Sequence, residues 1–347
     1  MIPFIGTLSK GWLAKYNNIV FDRDYYFDPE KRHEIDRMCS EIAAKGELAD
    51  LDIIYSESNL GQADYISEDQ VLVGGIQPNM ILGMLIGADF HPNDVMDADI
   101  SPTPLKGKDL NNLPTPASLL QHEVIQLFDE QMRQLQGSAL TPIPPFFWDA
   151  SGRATIHGAL TTAQKFLGED IFIDLMLQPE KIVKVMDWIT DCYILLVRHF
   201  SEIADLAITS VHVGECSASL VNDSLFHQFV APQAQRIAES LGPLRFHTCG
   251  PSTHLLPSIN TIAGLASLDL GGGTSMAKVR KIFGKDFPVD IAPLAPDFSA
   301  PTPEPILAWA QQVVADNAGG TLKIVYHLEP NYNLDVVHAL HDYLQNS

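Results

Sequence analysis

From about residue 70 to the end of the chain, short apolar runs alternate with stretches of helical period. QVLVGGI (70–76), ALTPIPPFFWD (139–149), DLAITSVHVGE (205–215), PLRFHTCG (243–250), GLASLDLGGG (264–273), FPVDIAPLA (287–295) and TLKIVYHLE (321–329) read as strands. Amphipathic segments such as SLLQHEVIQLFDEQMRQLQG (118–137) and DSLFHQFVAPQAQRIAESLG (223–242) separate them. Strands joined by helices of this length are parallel, because a parallel partner needs a long crossover. The strands are apolar along most of their length, the pattern of a sheet covered on both faces. Such a run of units without a phosphate-binding glycine loop predicts a (β/α)8 TIM barrel, an α/β fold, over a doubly wound sheet. DLGGG (269–273) is not G-x-G-x-x-G and opens no dinucleotide unit.

The chain has 347 residues, and a barrel takes about 250 of them. Residues 1–65 read as a helical and irregular N-terminal extension packing on a barrel formed by 66–347. Within the extension, Asp28 stands as N-cap, with Pro29 at the first helical position and Glu30 in the first turn.

Charge and composition exclude several partners. The net charge is −21, from 22 Lys and Arg against 43 Asp and Glu, so a nucleic-acid partner is not expected. No apolar run is long enough to span a membrane. Thr7, Ser9 and Lys10 break the N-terminal apolar stretch before it resembles a signal peptide, and a cytoplasmic location is expected. Four cysteines do not make a disulfide framework. Cys39 and Cys192 lie in helical patterns and read as buried thiols, whereas Cys216 and Cys249 end strands.

A barrel gathers its chemistry at the C-terminal ends of its strands. The polar residues there are His212, Glu215 and Cys216; His247, Cys249 and His254; Asp269; Asp290; and His327 with Glu329. Residues two apart in a strand share a face, so His247 and Cys249 point the same way. An imidazole and a thiolate together suit zinc. The spacing pairs His327 with Glu329 likewise, and Glu215 or Cys216 ends a neighbouring strand.

These residues carry a resemblance. FHTCG (246–250) followed by an apolar helix resembles the His-x-Cys-Gly segment of the uroporphyrinogen decarboxylase-like superfamily, most closely its zinc-containing, cobamide-dependent methyltransferase branch. The segments beginning PFFWDASGRATIHG (145–158), LMLQPEKIVKVMDWIT (175–190) and ECSASLVNDSLFHQFVAPQAQRI (215–237) are similar to superfamily segments and follow in the same order. The resemblance spans roughly 70–345 and implies a (β/α)8 barrel. It also implies a zinc held by His247, Cys249 and a later cysteine. No cysteine follows Cys249; VYHLEPNYN (325–333) stands there instead, so His327 or Glu329 is expected to replace it, with Glu215 as another ligand. The decarboxylase itself fits less well, because the family's Arg-rich N-terminal segment is missing: residues 1–65 hold only Arg23, Arg32 and Arg37.

The expected activity is a zinc-dependent methyl transfer between a small molecule and the cobalt of a corrinoid carried by a separate protein. Glu215, His247 and Cys249 are the expected catalytic residues. A ligand set with a single cysteine makes zinc more electrophilic, which favours a methoxy or aryl methyl ether donor over a thiol acceptor. Phe147, Trp148 and Tyr326 are expected to line the substrate pocket. The competing reading is a metal-free lyase of the decarboxylase type. A homodimer is left open as the assembly.

Overall fold

The computed structural model describes residues 2–55 and 67–346. Eight strands form one parallel sheet. In chain order they are β1 (Phe4–Leu8), β2 (Ile53–Ile54), β3 (Arg153–His157), β4 (Ser210–Gly214), β5 (Leu244–Thr248), β6 (Leu265–Gly271), β7 (Val289–Ala292) and β8 (Leu322–Leu328). Their spatial order is β2-β1-β8-β7-β6-β5-β4-β3. The sheet curls into a half-barrel with helices around it, as the alternation predicts for a TIM barrel. The boundary expected at 65/66 lies outside the described residues. Residues assigned to the extension nonetheless supply β1 and β2: Phe4 pairs with Ile324 and Gly6 with Ile53.

Two expected strands lie outside this sheet. Gln70–Leu72 and Thr141–Ile143 pair with each other in a separate two-stranded ladder. Their place is taken by β1 and β3, both only five residues long. Helices are better foreseen. Asp28 accepts from the N–H groups of Glu30 and Lys31 and opens the helix Pro29–Ala43. Gln178 separates Ile171–Leu177 from the 26-residue helix Pro179–Ala204, whose Pro179 stands where a missing N–H costs nothing.

Alternation along the strands divides the sheet into two environments. Val211, Val213, Phe246, Leu268, Leu270 and Ile291 are fully buried and form the apolar layer under the helices. Their neighbours His212, Arg245, Asp269 and Asp290 form a charged interior. Arg245 meets Asp269 at 3.0 Å and Asp290 at 2.7 Å, and its guanidinium donates to His212 Nδ1 at 2.6 Å. Cys39 and Cys192 are buried, as their helical pattern predicts. No helix among the described residues is long and apolar enough to cross a membrane.

Candidate metal centre

The site sits where β4 and β5 end. His212 pairs with Arg245 and Gly214 with His247, and Cys216 opens the short 3-10 turn that follows β4. Three donors converge: Cys216, His247 and Cys249 each offer a ligand atom within 4.8 Å of the other two. Cys216 and His247 are half-buried, and Cys249 is exposed. Two thiols and an imidazole are a donor set that fits zinc, with a tetrahedral fourth position left for solvent or substrate.

Each donor is held from behind. His247 Nδ1 lies 2.9 Å from Asp269 Oδ2, which leaves Nε2 as the nitrogen free to face the sulfurs. A carboxylate behind a ligating imidazole fixes its ring and raises its basicity. Burial disfavours the imidazolium, but the Asp269 carboxylate outweighs it and pushes the group up to about 9. Burial also opposes charge on Asp269, yet Arg245 and then His247 hold its carboxyl well below the usual carboxylate range. The two thiols share one proton. A hydrogen bond from Cys216, followed by one from His247, pulls Cys249 down to about 4, and Cys216, which keeps the proton, is pushed up.

Cys216 is positioned by its neighbours in sequence. The carboxylate of Glu215 accepts from the Leu160 and Thr161 N–H groups, both at 3.0 Å, and from Thr161 Oγ1 at 2.9 Å. It thereby caps the helix Ala159–Leu167, whose N-cap Gly158 has no side chain to do so. A Cβ on Gly158 would stand 1.9 Å from Glu215 Cδ, so glycine is required there. Ser217 N–H donates to Thr161 Oγ1 at 3.1 Å, and Glu215 N–H to the His247 carbonyl at 2.9 Å. The turn after Cys249 is equally close-fitting: a Cβ on Gly271 would lie 2.0 Å from the Cys249 carbonyl oxygen.

The expected site residues therefore fall into separate places. His247 and Cys249 come together, and the third donor beside them is Cys216. Glu215 is committed to the helix it caps. Burial pushes its carboxyl up to about 7 against the hydrogen bonds that it accepts. His327 lies at the end of β8, its Nδ1 2.7 Å from Thr7 Oγ1, and is not in the three-donor group. Glu329 is half-buried in the same quarter, beside Ser9 and Asp97. Tyr326 points away from the interior: it stacks on Phe4 at 4.6 Å and lies tilted against Phe298 at 5.1 Å, over the space that Gly6 leaves. Phe147 and Trp148 are buried in the loop before β3, where Phe147 bridges back to Ala154. Sequence reasoning named Cys216 only as an alternative to Glu215, and gave Asp269 no partner. The two-residue step from Gly214 was the signal for the first. The second depends on which strands become neighbours.

The uroporphyrinogen decarboxylase (URO-D) family model matches residues 154–320, from β3 through β7 and across all three donors. A methyltransferase from Methanosarcina mazei shares the fold with a TM-score of 0.64 at 16% identity, over 99% of this chain and 94% of its own. A B12-independent methionine synthase from Shewanella sp. W3-18-1, solved with selenomethionine, gives 0.50 at 11% identity, over 100% and 98%. No curated protein sequence matches the chain. At these identities the two structures speak for the fold alone, and the family match covers the strands that carry the donors.

Proposed function

We propose that this protein is a zinc-dependent methyltransferase, exchanging a methyl group between a small substrate and the cobalt of a corrinoid on a separate protein. The observation that carries the reading is the convergence of Cys216, His247 and Cys249 at the strand ends. Zinc bound there supplies a Lewis-acid position at which a substrate heteroatom is activated. The chain's own residues hold that position in shape. Asp269 retains the proton on His247 Nδ1, and Glu215 fixes the backbone on which Cys216 stands.

The donor set also bears on the substrate. The preference for a methoxy compound rested on one cysteine among nitrogen and oxygen ligands. Two sulfurs donate more charge to the metal, which makes it less electrophilic and suits it to a thiol substrate. A thiol methyl acceptor is therefore the preferred substrate class.

Metal analysis tests the reading. The wild-type protein should carry about one zinc per chain, and Cys216→Ala and Cys249→Ala should each lose most of it. A folded wild type that takes up no added zinc would sink the metal site and move the decarboxylase-type lyase to first place.

A further inference from the structure

The four cysteines stand in two settings. Cys39 and Cys192 are fully buried in helices, whereas Cys249 is exposed just past β5 and Cys216 is half-buried in the turn after β4. The Sγ atoms of Cys216 and Cys249 lie within 4.8 Å of each other. Their backbones are still joined just before the sulfurs, where the Glu215 N–H donates to the His247 carbonyl at 2.9 Å. Strands so joined stand about 4.8 Å apart, inside the roughly 4.4–6.8 Å between Cα atoms that a disulfide bridges. Closing a bond between the sulfurs therefore asks for side-chain rotation, not for movement of the strands.

The surroundings keep the two thiols together and give them different access. The Cys216 carbonyl accepts from Ser219 Oγ at 3.0 Å. Ser219 in turn packs against Gly250, where a Cβ would stand 2.5 Å from its Oγ. The turn that carries Cys216 thus interlocks with the residue after Cys249. Solvent reaches Cys249 first, and Cys216 stands behind it. An exposed thiol beside a shielded partner is the arrangement of redox-sensing pairs.

We propose that Cys216 and Cys249 form an oxidative modification site: hydrogen peroxide closes a disulfide between them, and a dithiol reopens it. The Cys249 thiolate attacks one peroxide oxygen; an S–O bond forms as the O–O bond breaks, and the hydroxide that leaves takes a proton from solvent. The Cys216 sulfur then attacks the Cys249 sulfur. The S–S bond forms as the S–O bond breaks, and the hydroxyl leaves with the Cys216 proton as water. The two sulfurs together give up two electrons, and the peroxide is reduced to water. A disulfide offers no thiolate to a metal, so closure removes two of the three donors and releases zinc. That consequence rests on the metal-site reading; the pairing of the thiols does not.

Peptide mapping of the metal-free protein after an equimolar dose of hydrogen peroxide tests this. Trypsin places the four cysteines in four different peptides, 38–45, 185–198, 199–236 and 246–278. Peptide 199–236 should appear linked to 246–278, with titratable thiols falling from four to two and dithiothreitol restoring all four. Zinc-loaded protein should release its metal as the link forms and take it up again only after reduction. In Cys216→Ser the reaction should stop at a sulfenic acid on Cys249, which dimedone traps. Thiols unchanged by peroxide, Cys249 passing to sulfinic acid while Cys216 stays a thiol, or undiminished oxidation of Cys216 in Cys249→Ser would overturn the proposal. If a variant does not fold, the wild-type peptide map decides alone. A disulfide in a protein that takes up no zinc when reduced would remove the metal site and leave the redox pair standing. Zinc uptake by a protein whose metal-free form keeps all four thiols under peroxide would do the reverse.

Discussion

Glu215 shows how much a single side chain does here without touching a ligand. It replaces the missing cap of the helix Ala159–Leu167 and locks the segment that carries Cys216. Glu215→Ala should destabilise the fold by about 3 kcal/mol, the loss of charge-assisted bonds to buried N–H groups. It should also weaken zinc binding by about 10–100-fold, as removal of a supporting contact does. Urea denaturation and a competition titration against a chelator measure the two effects. An unchanged zinc affinity would show that Cys216 does not depend on the cap. His157 makes the clearest pH prediction. Burial lowers its pKa from 6.5 to about 4 in the folded protein, so between these values the unfolded chain binds the extra proton. Its contribution to stability is complete above pH 6.5 and is lost as pH falls towards 4. Lowering the pH from 7 to 5 should cost about 2 kcal/mol through this group alone. The slope of stability against pH in that window should flatten in His157→Gln.

Strand β5 is the element on which the site turns. Its outward residues Leu244 and Phe246 are buried under the helices. Its inward residues Arg245 and His247 reach Asp269 on β6, and Arg245 also reaches Asp290 on β7. Arg245 is thus the counter-ion for two buried carboxylates. Arg245→Met would leave both without it, and the expected cost is about 3–5 kcal/mol, read as a lower denaturation midpoint. A smaller loss would mean that water or a proton reaches Asp290. The inward face of β5 was legible in the sequence, since R-x-H-x-C has a two-residue period. Its partners were not, because Asp269 and Asp290 become neighbours only through sheet order. Strand β3 escaped the sequence for a different reason. RATIH is short, follows a proline- and aromatic-rich loop and runs at once into a helix, so no apolar run marks it. Gly152 and Gly158 bracket it on both sides, and that was its one local sign.

For the whole molecule, zinc that binds only the folded state must stabilise it. At free zinc about 100 times the dissociation constant the gain is about 2.7 kcal/mol. Thermal denaturation should therefore shift upward with zinc and back with chelator, and Cys249→Ala should respond to neither. A wild type indifferent to zinc in the same experiment would speak against a metal centre.

The alternation of apolar runs with helices was enough to settle a parallel α/β barrel, because strand–helix–strand units of that length have few other ways to bury both faces of a sheet. The shared face of His247 and Cys249 followed equally from the pleat. Both are local properties, repeated every few residues. Which residue completes the donor group is a property of neighbouring strand ends. Cys216 joins because β4 lies beside β5 in a register that sets Gly214 against His247, whereas His327 and Glu329 end a strand three places farther along the sheet. Sequence spacing carries no information on that register, so only the packed barrel decides which of several chemically suitable side chains meet.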